Sequence, residues 1–112
     1  LIFRHNGKYY ILDWKSNHLG NSVDNYDMAG METAMTGSNY HLQYKIYTVA
    51  LIRWLKSRIS DFDYEKHFGG IIYVFLRGVR KGSDTGIYTS LPDKNEIDDL
   101  DKAFRGELQE AD

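Results

Sequence analysis

The stretch that decides the fold is LIFRHNGKYYILDWKS, residues 1–16. Two runs of aliphatic and aromatic residues flank Asn6 and Gly7, the pair that favours a two-residue type I′ turn between antiparallel strands. The sequence therefore opens with a predicted β-hairpin. Its second strand carries two charges, Asp13 and Lys15, although a buried charge without a partner costs on the order of several kcal/mol. This pair of charges needs an explanation.

Alternation along the strand places Asp13 and Lys15 on one face. The opposite face, predicted to be the core side, consists of Tyr10, Leu12 and Trp14. Because Asp13 and Lys15 are two residues apart on one face, the carboxylate and the ammonium can meet at one site above the strand. The carboxylate is a ligand for Mg²⁺ or Mn²⁺, and the ammonium assists an attacking water and offsets charge in a phosphoryl transition state. The backbone carbonyl of Trp14 is a third candidate ligand. The alternative is an ordinary ion pair on an edge strand.

Hydrophobic patterns downstream predict two helices, a strand and a last helix. The helices cover residues 26–35, 40–59 and 96–108, and a nearly continuous apolar run, FGGIIYVFLRG, predicts a strand buried on both faces. Residues 78–95 are predicted to be a loop. The apolar stripe of the 40–59 helix is predicted to be Tyr47, Ala50, Leu51, Trp54, Leu55 and Arg58, broadened by Leu42, Ile46 and Val49. The predicted apolar face of the 96–108 helix is Ile97, Leu100, Phe104 and Leu108. The order predicts an α/β fold with a mixed sheet.

Gln43 and Tyr47 form a second candidate pair, because their spacing of i, i+4 puts them on one face of the long helix. An amide and a phenol at this spacing can hydrogen-bond a phosphate or hold the Asp13 strand. The alternative is that Tyr47 belongs to the core and Gln43 to its rim.

Composition narrows the classes of protein. The chain has 112 residues, 42% of them hydrophobic, and a net charge of −2, which is typical of one globular domain or part of one. It has no cysteine, so these residues hold no disulfide, zinc knuckle or iron–sulfur cluster. No apolar run is long enough for a membrane span. Because the sequence starts with Leu1 inside a strand pattern, we expect a fragment of a longer chain.

Three motifs in order, ILDWKSN, HLQYKIYTVAL and FGGIIYVFLRG, resemble the C-terminal nuclease domain of the RecB family, within the PD-(D/E)XK nuclease superfamily. The resemblance implies a restriction-endonuclease-like core, incomplete at its N-terminus, with residues 1–112 as the C-terminal part of one nuclease domain. By motif, Asp13 resembles a metal-binding acid, Lys15 the catalytic lysine, and Gln43 and Tyr47 the Gln-x-x-x-Tyr motif. The family's first acid, in a Gly-x-x-Asp context, has no match here.

The resemblance implies Mg²⁺-dependent hydrolysis of DNA phosphodiester bonds, of the exodeoxyribonuclease V type, in bacterial repair of double-strand breaks by recombination. The expected substrate is single-stranded or unwound DNA, and the expected partners are RecC and RecD subunits in the cytoplasm. ATP would serve only a helicase motor outside this sequence, because no Walker A pattern occurs here. With part of the site missing, we expect the fragment alone to be inactive.

Two alternatives stay open from the sequence. One is a nuclease-like interaction module without activity, in which Asp13 and Lys15 form a salt bridge. The other is the nuclease domain of an AddA-like or phage recombination exonuclease.

Overall fold

The computed structural model describes the backbone of residues 1–110 and the side chains of residues 1–106. The strands are β1 (Ile2–His5), β2 (Lys8–Lys15), β3 (Phe68–Phe75) and β4 (Ile87–Ser90). The helices are α1 (Met28–Gly37), α2 (Tyr40–Arg58), the single turn α3 (Tyr64–His67) and α4 (Lys94–Glu110). Short 3₁₀ turns cover Val23–Tyr26 and Leu76–Gly78. The predicted α/β fold class is confirmed.

The opening hairpin forms as predicted. Asn6 and Gly7 both have positive φ, 51° and 79°, which is the backbone that a type I′ turn requires. β1 and β2 pair antiparallel around this turn, with His5 opposite Lys8 and Ile2 opposite Ile11. The hairpin therefore fixes the register of β2.

The sheet is mixed and has the strand order β1-β2-β3-β4. β2 runs parallel to β3, and α1, α2 and α3 lie in the connection between them. β4 pairs antiparallel with β3, so the prediction of a loop across residues 78–95 is wrong for Ile87–Ser90. Only four residues long and flanked by glycines and a proline, β4 is too short for its alternation to stand out.

Two glycines shape the start of β3. The ladder with β2 shifts by one residue here, because Tyr9 pairs with Phe68 whereas Tyr10 pairs with Gly70. A Cβ at Gly69 would lie 2.3 Å from the ring of Tyr10, and Gly70 has φ +115°, a conformation that side chains rarely adopt. The bulge thus requires the Gly69–Gly70 pair.

The buried face of β2 is the opposite of the predicted one. Ile11 and Lys15 are buried, at 5% and 9% exposure, whereas Trp14 is 55% exposed. The reason is that α1 and α2 pack on the Ile11 face, where Ile11 joins their side chains in one core. Both faces of β2 carry apolar residues, so alternation alone does not tell which face the helices cover.

The buried face of α2 agrees with the predicted apolar face only at Val49, Leu51 and Leu55. Its buried residues are Tyr44, Thr48, Val49, Leu51, Ile52 and Leu55. Tyr47 and Trp54 are instead 44% and 45% exposed. Thr48 is fully buried because its hydroxyl donates to the Tyr44 carbonyl oxygen at 2.7 Å, which satisfies the polar group inside the helix. The buried side thus includes one polar residue, Thr48, that a hydrophobic pattern does not count.

The remaining helices lie close to their predicted positions. α1 begins after Asp27, whose carboxylate accepts the Gly30 amide at 2.8 Å and caps the helix. In α4, Ile97 is buried and Leu100 and Phe104 pack against the core, as predicted, while the Leu108 side chain lies outside the described residues. Among the described helices, none has the length and apolar character to cross a membrane.

Candidate functional site

The candidate site starts from β2, which ends with Asp13 and Lys15 on the face that α2 covers. The Lys15 Nζ lies 3.0 Å from Asp13 Oδ2, so the two side chains meet as the two-residue spacing predicts. The Asp13 side chain is 35% exposed and that of Lys15 only 10%. β3 pairs with β2 along Asp13–Lys15, whereas β1 pairs with β2 only from Lys8 to Ile11, so among the described residues the ion pair has a neighbouring strand on one side. The buried ammonium of Lys15 thus lies beside the partly exposed carboxylate of Asp13.

Groups from α2 and β3 surround the ammonium of Lys15. The Gln43 Oε1 accepts a hydrogen bond from Nζ at 3.0 Å. The ring of Tyr40 lies 3.9 Å from Nζ, and the ring of Tyr73 lies 4.8 Å from it. Carboxylate, amide oxygen and two aromatic faces all stabilise a cation, which offsets the cost of removing Lys15 from water.

Gln43 accepts a second hydrogen bond at the same oxygen. The hydroxyl of Tyr73 donates to Gln43 Oε1 at 2.9 Å. Tyr73 is fully buried, and it is the register partner of Asp13 in the parallel ladder. Burial, together with the negative charge of Asp13, raises the pKa of Tyr73 above its ordinary value. Its hydroxyl therefore stays protonated and remains a donor.

Tyr47 lies one turn after Gln43 but outside the contacts around Lys15. Gln43 and Tyr47 line one shallow depression, in keeping with their predicted common face. Tyr47 also lines an open groove of about 730 Å³ between the hairpin and α2, together with Asp13, Tyr9 and Trp54. The exposed side of α2 and the Asp13 carboxylate thus border the same groove.

The oxygen atoms at Asp13 fit a hard divalent cation in kind but not in number. Oδ2 faces Lys15, and Oδ1 accepts the backbone amide of Trp14 at 2.9 Å. This carboxylate and the Trp14 carbonyl are the type of ligand that Mg²⁺ prefers. Within the part of the chain that the structure describes, however, no three His, Cys, Asp or Glu side chains are grouped to hold a metal ion. A metal here would need ligands from elsewhere.

The sequence of this chain is similar to that of several known proteins. The chain is 51% identical over 113 residues to the RecBCD enzyme subunit RecB of Escherichia coli (strain K12), which covers 99% of this chain and 10% of that protein. The RecBCD enzyme subunit RecB of Haemophilus influenzae is 43% identical over 104 residues, 93% of this chain and 9% of that protein. That of Mycobacterium tuberculosis (strain H37Rv) is 36% identical over 110 residues, 91% of this chain and 10% of that protein.

The chain belongs to the RecB family. It spans about a tenth of the length of the RecB proteins that it matches. No protein-family model matches the chain. The mixed sheet with its helices is compatible with a nuclease-like core in a segment of RecB.

Two residues of this RecB segment complete the surroundings of Lys15 and were missed from the sequence. Tyr40 precedes Gln43 by three residues, so its helical spacing placed it on the same face. Tyr73 gave no such signal, because its position depends on the parallel register that sets it opposite Asp13. Among nine tyrosines, nothing in the local sequence distinguishes it.

Proposed function

We propose that this chain is the C-terminal part of the nuclease domain of a RecB-type helicase–nuclease, and that it serves in metal-dependent hydrolysis of DNA phosphodiester bonds. The observation that carries the proposal is the contact of Lys15 with both Asp13 and Gln43 at 3.0 Å, beside an open groove. The membership of the RecB family supports the same reading.

We assign to Lys15 a role at the reacting phosphate. Its ammonium orients the attacking water and offsets the negative charge that develops in the transition state. Gln43 and the ring of Tyr40 restrict the motion of Nζ, so little reorganisation is needed when the substrate arrives. Tyr47, exposed at the groove, positions the DNA strand. The contacts of Lys15 with Gln43 and Tyr40, and the exposure of Tyr47 at the groove, support these proposed roles.

Asp13 and the carbonyl of Trp14 would hold the metal, Mg²⁺ or alternatively Mn²⁺. Such an ion neutralises charge on the phosphate oxygens when bound. Leu1 exchanges backbone hydrogen bonds with Leu12, at 3.1 and 2.8 Å, so a residue before Leu1 in a longer chain would continue β1 opposite Asp13. An acid at that position would share the face of Asp13 and supply a further ligand.

The wider function is proposed on the same basis. The substrate is single-stranded or unwound DNA, the partners are RecC and RecD subunits, and the place is the bacterial cytoplasm, in recombinational repair of double-strand breaks. ATP serves a motor part of the longer protein. The matches to RecB chains favour this reading over an AddA-like or phage recombination exonuclease.

The test uses the longer parent protein with Mg²⁺ and single-stranded DNA. Asp13→Asn keeps the size of the side chain but removes its charge, and we expect the cleavage rate to fall at least about a hundredfold. Asp61→Asn, an exposed position away from the site, is the matched control and should cleave at the wild-type rate. Unchanged cleavage by Asp13→Asn would refute the nuclease assignment.

A second candidate function is a nuclease-like interaction module without activity. The observation in its favour is that the ion pair between Lys15 and Asp13 is already closed at 3.0 Å, as a purely structural pair would be. This reading predicts that the parent protein cleaves equally well with Asp13→Asn, so the same experiment separates the two.

A further inference from the structure

The orientation of the Gln43 amide is fixed by its two donors. Lys15 has only hydrogens to donate, so the atom that faces it must be the amide oxygen. The hydroxyl of Tyr73 then donates to that same oxygen. The two Nε2 hydrogens lie on the other branch of the amide, and Nε2 has no hydrogen bond to another described residue. Both lone pairs of Oε1 are used, and the amide donors stay open to a phosphate oxygen.

Tyr73 itself has little freedom to move. It is fully buried on β3, between Tyr40 and Tyr44, whose rings meet it edge-on at centroid distances of 5.9 and 6.2 Å. The register with Asp13 holds its backbone beside the site strand. A hydroxyl held this rigidly is a fixed reference for the flexible Gln43 side chain, which has three rotatable bonds.

We propose that Tyr73 is a positioning residue for the nuclease site, acting through Gln43: its hydroxyl locks the amide so that Oε1 holds the Lys15 ammonium and Nε2 is free for the scissile phosphate. This inference rests on the proposed function. Tyr73 does not touch the substrate in this arrangement. Removal of the Tyr73 hydroxyl should impair the chemical step more than DNA binding. The groups that it would displace, Lys15 Nζ and Gln43 Nε2, act at the scissile phosphate and not along the groove.

The first experiment measures kcat and KM of the longer parent protein on single-stranded DNA with Mg²⁺. Tyr73→Phe keeps the ring and its packing and removes only the hydroxyl. We expect kcat to fall by roughly three- to tenfold, the range for one neutral hydrogen bond, while KM changes by less than about twofold. The matched control is Tyr64→Phe, a buried tyrosine outside the site whose hydroxyl donates to the Pro92 carbonyl at 2.5 Å; its kcat should equal that of the wild type.

The second experiment is a double-mutant cycle with Gln43→Met, which removes the amide at similar length. If Tyr73 acts through Gln43, the double variant is no slower than Gln43→Met alone. The inference would be overturned if the kcat losses of the two single variants multiplied in the double variant, or if Tyr73→Phe kept the wild-type kcat. If Tyr73→Phe failed to fold, Gln43→Met alone would test the inference. Its kcat must fall by at least the roughly three- to tenfold expected for Tyr73→Phe, and a wild-type kcat would overturn the inference, because Tyr73 would then have no residue through which to act.

The outcomes separate this inference from the function on which it rests. Loss of cleavage in Asp13→Asn with unchanged kcat in Tyr73→Phe refutes the role of Tyr73 and leaves the nuclease assignment standing. Full cleavage in Asp13→Asn refutes both.

Discussion

Two polar clusters lie on the helix-covered face of the sheet, and they differ in their position relative to the groove between the hairpin and α2. The Lys15 cluster consists of Asp13, Lys15, Tyr40, Gln43 and Tyr73. The Glu32 cluster consists of Glu32, His41, Tyr44, Tyr88 and Ser90. Both combine an acid, a basic group and tyrosines, and both include residues from the first turns of α2.

The Glu32 cluster ties secondary structure elements together. Glu32 on α1 binds His41 of α2 at 2.7 Å through one carboxylate oxygen and Tyr88 of β4 at 2.9 Å through the other. Both oxygens are therefore used between protein groups. In the Lys15 cluster the two Asp13 oxygens also have protein partners, Lys15 and the Trp14 amide, but the carboxylate lines the open groove between the hairpin and α2. On the proposed function, similar side chains would stabilise the fold in the Glu32 cluster and serve the chemistry in the Lys15 cluster.

Lys15→Met tests whether the Lys15 cluster serves catalysis, unlike the Glu32 cluster. The variant keeps the length of the side chain and removes its charge. Cleavage of single-stranded DNA by the parent protein should fall at least about a hundredfold. The free energy of unfolding should also fall, by about 1–3 kcal/mol, because Asp13 loses its cation and Gln43 loses one of its two donors, while the partial exposure of Asp13 limits the loss. Nuclease assays and urea unfolding measure the two. Lys56→Met, at an exposed position, is the control; a stable variant that still cleaves would place Lys15 with the structural cluster.

A second prediction tests which face of β2 is buried beside the Lys15 cluster. Ile11→Ala should lower the free energy of unfolding by about 2–5 kcal/mol, since it opens a cavity in the core. Trp14→Thr, one residue before Lys15 and 55% exposed, should change it by less than about 0.5 kcal/mol. Urea denaturation compares the two variants. Equal losses would mean that both faces of β2 are covered.

A third prediction concerns the Glu32 cluster. Glu32→Ala leaves the hydroxyl of Tyr88 without its acceptor, and we expect a loss of about 1–3 kcal/mol in the free energy of unfolding. The cleavage rate of the folded parent protein should stay at the wild-type level. Thermal unfolding and nuclease assays on one sample check this. A drop in kcat without a drop in stability would give the Glu32 cluster a catalytic part.

Both clusters should also make the free energy of unfolding depend weakly on pH, through Tyr73 in one and Tyr88 in the other. Burial first, and Asp13 next, raise the pKa of Tyr73, while burial and the hydrogen bond to Glu32 raise the pKa of Tyr88. An unfolded tyrosine loses its proton near its ordinary pKa of 10.0, at which the folded one still holds it. The stability that each tyrosine adds to the folded state is therefore complete below pH 10.0, and it is lost as the pH rises toward the higher pKa of the folded protein. Unfolding measured from about pH 9 to about pH 11 should show a decline that Tyr73→Phe and Tyr88→Phe each make less steep.

Local sequence rules predicted the hairpin, the long helix and the meeting of Asp13 with Lys15, because each depends on residues close in the chain. Asn6-Gly7 sets the turn, and the alternation of β2 sets the pair. Trp14 and Tyr47 were misplaced for a common reason: both are large aromatic residues on elements whose two sides are apolar. Which side is buried depends on the packing of α1 and α2 against the sheet. Tyr73 escaped prediction because its role arises from strand register.

The parallel pairing of β2 with β3 has a consequence for how the protein folds. Asp13 and Tyr73 are neighbours across the ladder, yet 60 positions separate them in the chain. The hairpin closes over a two-residue turn and can form within about 1–10 μs on its own, whereas β3 docks only after the intervening helices have brought it back. Contacts so distant in sequence slow folding. We therefore expect the ion pair of Asp13 and Lys15 to form early in folding, and the enclosure of Lys15 by Gln43 and Tyr73 to form late.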